Sequence, residues 1–513
     1  METFTVTFTC PPQDVSIEKE AAKALGTSVE NIAGIEILKR SIDARRTPKW
    51  NYQLAVTVRR SPGISAPRYH APAPFVIPKG KSARRPVVVG MGPAGLFGAL
   101  VLARAGLCPI VLERGGSVED REKAIRRFIT EGTLDPASNV QFGEGGAGAF
   151  SDGKIGTGIK SPLLRFVRET FIAHGAPPEI AYDAHPHIGS DRLPSVVKSI
   201  REEIIARGGT VYFNTRMTNL RLSGGGISGV ETTDGFFETD AVLLAVGHSA
   251  RDTFSLLREK GANMIPKPFS VGARIEHPRI EIDRALYRDG APFLPAAEYH
   301  LVCHRPASPS VYTFCMCPGG YVIPAASEAG GVVTNGYSLH ARDGENSNAA
   351  VLVSITPEEF GTDPFDGVRL QREIEEAAFL AGGQSYKAPC QRVDDFLADK
   401  RTTAFGTVSP TYARGVVPGH IGDCLPAFVT DAMRWALPEF AKRLAPFGRG
   451  DALLTAPETR SSSPLRILRN EEGESNISGL FPAGEGSGYA GGIMSAATDG
   501  IGAALAILAK AKA

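Results

Sequence analysis

The chain has 513 residues, 42% apolar and 22% charged, too long for one ordinary core and balanced like a folded protein rather than a disordered one. Lys and Arg total 56 against 55 for Asp and Glu, a net charge of +1, which argues against a chain-wide electrostatic grip on nucleic acid or anionic membrane. No apolar run approaches the roughly 18 residues of a membrane-spanning helix, and seven scattered Cys make no disulfide framework. The expectation is a cytoplasmic protein without nucleic-acid or membrane partners. Its one compositional excess is glycine, 57 residues or about 11% against a usual ~7%.

Residues 1–60 read as a small βαββ module. Phe4, Val6 and Phe8 share one face of a first strand, which rules out a signal peptide there. Ser16 to Leu25 suits a helix stopped by Gly26, and Tyr52, Leu54, Val56 and Val58 line a later strand. The pattern suggests a ferredoxin-like or ACT-like unit. Six prolines between residues 61 and 86 mark a stiff linker. Next come a buried strand at Val87–Val89, a helix from Pro93 to Ala105 and a second strand at Ile110–Leu112, a βαβ unit. A helix over 195–207, a strand near 211–213, hairpins over 217–239 and a core strand over 241–246 follow. Residues 266–455 read as an inserted mixed α+β substrate domain. A parallel-sheet domain is expected to span 87–265 and to close with 456–513. The fold class is thus α/β (α+β overall): a Rossmann-like domain carrying an insertion and a small N-terminal domain.

Gly90-Met91-Gly92-Pro93-Ala94-Gly95 is a G-x-G-x-x-G between strand and helix. Its glycines allow a tight turn, close approach to a pyrophosphate, and close packing of helix on strand. The helix start then presents amides and the positive dipole end to phosphate. Glu113 follows 23 residues after Gly90 (113 − 90), where a ribose-binding acid belongs. Gly479-Leu480-Phe481-Pro482-Ala483-Gly484-Glu485-Gly486 is similar to the second FAD fingerprint of two-dinucleotide-binding flavoproteins, and Asp240 to Gly247 is similar to their strand ending in A-x-G. Gly491, Gly492 and Ile493 open the last helix toward the flavin edge. These motifs choose FAD over nicotinamide. No second G-x-G-x-x-G lies in a βαβ setting, so NAD(P)H is expected only as a transient electron donor.

The chain resembles a group of bacterial FAD-dependent dehydrogenases with a short N-terminal α+β domain. The resemblance rests on Gln141–Lys154 (QFGEGGAGAFSDGK), Pro186–Asp191, Gly247–Phe254, Lys267–Pro278, Phe314–Gly320 (FCMCPGG), Glu458–Pro464 and Gly484–Ile493. It departs at Ala149 and Ser461, where the group leads us to expect Thr. The resemblance implies FAD and an oxidoreductase, without naming a substrate. The candidate cofactor set is Gly90, Gly92, Pro93, Ala94, Gly95, Glu113, Arg114, Gly145, Gly146, Ser151, Met217, Gly247, Gly484, Glu485, Gly491, Gly492 and Ile493.

The candidate catalytic residues are Lys154, His187, His248, Cys315 and Cys317. Lys154 follows the glycine loop expected beneath the flavin. His187 and His248 titrate near neutrality and suit proton donation, or serve structure. His185 and His187 form H-x-H, but a metal needs three or four convergent ligands, so none is expected. Cys315 and Cys317, the closest pair of thiols, read as a redox pair, as pocket lining, or as structural residues. Arg274 is expected to pair with Glu276 or His277, and Glu458 with Arg460 or Arg466. Arg460 is also a candidate for holding an anionic substrate. The function implied is hydride transfer between flavin N5 and an unidentified small molecule bound between the FAD domain and 266–455. Rival readings are a non-enzymatic flavin-bearing sensor and a flavin-dependent RNA-modifying enzyme, the latter disfavoured by the near-zero charge.

Overall fold

Three short apolar runs, Val87–Val89, Ile110–Leu112 and Val242–Leu244, are buried at every position, as strands covered on both faces require. The computed structural model, which describes all residues except 14, 62, 307, 512 and 513, places them in one five-stranded parallel sheet. Its order is Leu480–Pro482, Val242–Leu244, Val87–Val89, Ile110–Leu112, Thr210–Tyr212. The outer strand Leu480–Pro482 comes from the tail, so the end of the chain closes a sheet begun some 400 residues earlier.

Two helices, Pro93–Ala105 and Ile493–Lys510, cross over this sheet in contact with each other. Gly98 and Gly500 permit the crossing: a Cβ on Gly500 would fall 2.0 Å from the Ala94 carbonyl oxygen. The helix Ile493–Lys510 corrects one sequence expectation. It has 18 residues and a mean hydropathy of 1.3, enough by length and composition to cross a membrane, yet much of it is packed inside the parallel-sheet domain. Residues 217–238 form a three-stranded antiparallel sheet, as the hairpin signals predict.

The second domain is built on a seven-stranded sheet. Its order is Val302–Cys303, Val311–Cys317, Asn346–Ile355, Phe269–Pro278, Leu453–Glu458, Ala388–Arg392, Val416–Pro418. Along the strand Phe269–Pro278, Val271, Ala273 and Ile275 pack in the apolar core with the helix Ala427–Ala441, while Arg274 and Glu276 point to the opposite, polar side. The expected boundary at 455 falls inside the strand Leu453–Glu458, which pairs with the 269–278 strand to its end. The insertion therefore ends beyond Glu458. The chain enters and leaves it side by side, through the antiparallel pair Met264–Pro266 and Leu465–Ile467.

The N-terminal module has the predicted βαββ order. Ser16 caps the helix Ile17–Leu25 and Gly26 ends it at φ 65°. Its three strands run in the order Glu2–Cys10, Lys49–Val58, Ile32–Asp43. This is the first part of a ferredoxin-like βαββαβ unit, with no second helix or fourth strand of its own among the described residues. Linker residues take up the free edge of the first strand: Thr5 N donates to Pro67 O and Tyr69 N to Thr3 O. The linker is extended, as expected, but docked, with Phe75 set edge-on against Phe166.

Candidate active site

The C-terminal ends of the parallel strands open into a cleft of ≈ 350 Å³, within the roughly 300–1,000 Å³ range of small-molecule sites. Gly90 turns the chain there at φ +95°, and a Cβ on it would sit 2.3 Å from the Ala245 carbonyl oxygen. Gly95 is closer still, since its Cβ would fall 1.8 Å from Gly90 O. Gly92 differs: the nearest atom to an added Cβ is Gly146 Cα at 3.7 Å, and Gly92 lines the open cleft. The first amide to bond inside the helix is that of Leu96, to Gly92 O at 2.8 Å. The amides of Ala94 and Gly95 are thus left at the helix start without intrahelical partners.

The other glycine segments face this turn. Gly146 (φ +59°) stacks its backbone on Gly92, and Gly145 (φ +85°) donates its amide to Met91 O at 2.9 Å. Gly145 and Gly95 shape the turn without lining the cleft, which narrows the candidate set. Gly247, Gly484, Glu485, Gly491, Gly492 and Ile493 all line it, as do Pro93, Ala94 and Ser151. Asp499 fixes the second fingerprint by accepting from Gly484 N at 2.7 Å while paired with Arg469.

Glu113 is 4% exposed, and its carboxylate accepts from the amides of Met91 (2.8 Å), Gly115 (2.9 Å) and Gly143 (3.0 Å). It therefore organises three loops as well as facing the cleft, a role that spacing alone did not convey. Arg114 pairs with Asp252 at 2.9 Å and lies over the Phe142 ring; with Met217 it marks one end of the cleft. The opposite end is walled by the second domain through Phe314, Cys315, Asn335, Glu458, Arg460 and Ser461.

The comparisons with known proteins bear on this cleft. Residues 268–461 match the family described as FAD-dependent protein, C-terminal domain-like, and residues 3–57 match a domain of unknown function, DUF8436. A protein of Clostridium beijerinckii (strain ATCC 51743 / NCIMB 8052), titled "Uncharacterized protein", is 43% identical over 510 residues, covering 96% of each chain. The chain belongs to a family of FAD-dependent proteins. Among solved structures, the flavin-dependent brominase Bmp2 is similar over 84% of this chain and 79% of that one, at 14% identity and a TM-score of 0.39. Glycine oxidase from Bacillus cereus ATCC 14579 is similar over 83% and 95%, at 11% and 0.36. Likenesses that loose say nothing of substrate or reaction.

The cleft fits FAD. Gly92 leaves room where a Cβ would stand, and two helix starts, at Ala94 and Ile493, turn toward one elongated space.

The catalytic candidates separate. Lys154 lines the cleft with its Nζ 3.3 Å from Asp152 Oδ2. Asp152 is fully buried and held also by Arg342 and Ser338 from the second domain. His187 is corrected: it stands outside the cleft lining, stacked on His340, with Nε2 2.9 Å from the His340 carbonyl oxygen. Backbone bonds pair residues 153–155 with 186–188, Lys154 opposite His187, and the His340 contacts hold the ring outside the lining. His248 does line the cleft, its Nδ1 3.0 Å from Ser249 Oγ, but burial together with Arg460 and Arg251 pushes its pKa down to about 3. It is a neutral hydrogen-bonding group, not a proton carrier near pH 7. The ion pairs also differ from expectation. Arg274 pairs with Glu458 at 2.5 and 3.0 Å, and Arg460 with Glu375 and Glu328. Most of the Arg460 donors are spent on those carboxylates and on Ser327, which ties its guanidinium chiefly into the protein.

Proposed function

We propose that this FAD-dependent protein is an oxidoreductase that exchanges hydride between flavin N5 and a small molecule held at the second-domain end of the cleft. The observation that carries the reading is the continuity of the cleft. One cavity runs from the G-x-G-x-x-G turn to Phe314, Asn335 and Ser461 of the other domain, so cofactor and substrate would be gripped by different halves of the fold. Bound FAD supplies the two-electron chemistry, and the chain supplies position and charge. The amide end of the helix Ile493–Lys510 opens on the cavity and favours negative charge beside it. Burial works against the charge of Lys154, but Asp152, Cys317, Glu298 and Cys315 together outweigh it, and Lys154 keeps its positive charge. Burial pushes the Glu485 carboxyl up to about 8, against the pull of Lys267; it holds a proton at neutral pH and is the donor or acceptor the cleft offers. The test is anaerobic mixing of the flavin-loaded protein with amino acids, hydroxy acids, thiols and nicotinamides while the flavin absorbance is followed. Rapid bleaching by one class supports the reading. A tightly held flavin that none of them reduces, and that no acceptor reoxidises, overturns it in favour of a flavin-bearing sensor.

A further inference from the structure

The strand Val311–Cys317 leaves its ladder with the 346–355 strand between Phe314 and Cys317. The break falls at Cys315, which stands at φ +44°, a strained conformation for a residue with a side chain and one that concentrates at functional sites. In a flat strand the two cysteines would lie about 6.6–6.8 Å apart, at the far edge of what a disulfide spans. The bulge bends the chain, and Cys317 Sγ rests 3.3 Å from the Cys315 carbonyl oxygen. Cys315 faces the cleft, whereas Cys317 is fully buried behind it. Two cations overlook the pair. Arg274 donates to Cys315 O at 3.0 Å and lies 4.0 Å from Cys317 Sγ, and the buried Lys154 Nζ, paired with Asp152 but without a hydrogen bond among the described residues, adds its charge.

We propose that Cys315 and Cys317 are a dithiol–disulfide pair that exchanges two electrons with the FAD of this cleft, an inference that rests on the flavoprotein reading above. The positive surroundings are those that make thiols reactive. The hydrogen bond from Cys317, helped by Lys154 and Arg274, pulls the Cys315 thiol down, while that shared proton pushes Cys317 up. In the oxidising direction the Sγ–Sγ bond forms and the Cys317 S–H bond breaks. The electron pair and that proton pass to oxidised FAD, leaving reduced anionic flavin. In the reverse direction reduced flavin opens the disulfide.

Electron counting tests this without a turnover assay. The flavin-loaded protein is oxidised with diamide, desalted, and titrated anaerobically with dithionite, after its FAD has been quantified by heat release. Wild type is expected to take up four electrons per FAD and Cys317→Ser two, each couple accounting for two. Thiol counting in denaturant on wild type, which needs no variant, should give two fewer free thiols after diamide than the seven of the reduced chain. Uptake of two electrons by wild type, or seven thiols after diamide, overturns the pair while leaving the flavoprotein reading intact. A protein that takes up no FAD overturns both.

Discussion

Gly92 and Gly95 stand three residues apart and have opposite mutational signatures. At Gly92, φ −70° and ψ −177° are open to any residue, and no protein atom lies within 3.7 Å of an added Cβ. Gly92→Val should therefore fold normally and fill the space a pyrophosphate needs. We expect an unchanged melting temperature in the FAD-free protein and a flavin content at least tenfold lower, about 1.4 kcal/mol in affinity, read from the absorbance of the purified protein. Gly95→Ala meets Gly90 O at 1.8 Å and should cost about 1–3 kcal/mol of stability or more, visible in thermal melts with or without flavin. Glu113→Ala belongs with Gly95→Ala. It strands the buried amides of Met91, Gly115 and Gly143, each worth about 1–3 kcal/mol when left unpaired. The expected outcome is a lowered melting temperature in the apoprotein, not merely weaker FAD binding; an apoprotein that melts like wild type would confine Glu113 to ribose.

At the scale of elements, the central strand Phe269–Pro278 carries a buried charge across the second domain. Arg274 reaches Glu458 on one neighbouring strand, Asn348 on the other, and the Cys315 carbonyl beyond it. Both ions are buried, so Glu458→Leu alone leaves an uncompensated charge and should destabilise by about 3–5 kcal/mol. The double variant Arg274→Met/Glu458→Leu should recover much of that loss in urea unfolding. This pairing also shows what the sequence conveyed and what it did not. The parallel sheet was legible because its strands are short apolar runs bounded by glycine turns, and the helix Ile17–Leu25 because Ser16 and Gly26 announce its ends. Arg274 and Glu276 look like partners because they share a face two residues apart. In the sheet, Glu458 lies opposite Gly272, which has no side chain to intervene, and cross-strand neighbours meet more closely than i and i+2 do. That proximity joins residues 184 positions apart, and local pattern carries no trace of it. The bulge at Cys315 was hidden for the same reason: it is set by pairing with the 346–355 strand.

Across the whole molecule, polar clamps fix the domains around the cleft. Arg40 of the N-terminal module grips Asp183 at 2.7 and 2.9 Å, and Asp152 of the glycine loop is held by Arg342 of the second domain. Burial opposes ionisation of Asp152, but Lys154 and Arg342 win, and its pKa lies below the ordinary 3.8. Its contribution is therefore fully present above that value and lost as pH falls through the folded-state pKa. Asp152→Asn should make the unfolding midpoint less sensitive to acid below about pH 4, measured by denaturant titration at each pH. The same architecture bears on the electron donor. The second domain, which walls the far end of the cleft, is a largely antiparallel sheet, and residues 217–238 are a glycine-turned antiparallel sheet with no helix between their strands. Among the described residues neither offers the strand–glycine turn–helix that holds a pyrophosphate at a helix start; the turn of that kind described above, at Gly90–Gly95, is the one that fits FAD. A nicotinamide must then reach the flavin through the second-domain end of the cleft without a phosphate cradle of its own. NADPH and NADH should reduce the flavin slowly, with rates that rise linearly with nucleotide up to about millimolar concentration, the weak end of the affinity scale. Stopped-flow absorbance with each nucleotide is the measurement, and rapid reduction that saturates at micromolar nucleotide would mean that the second-domain wall holds a nicotinamide site of another design.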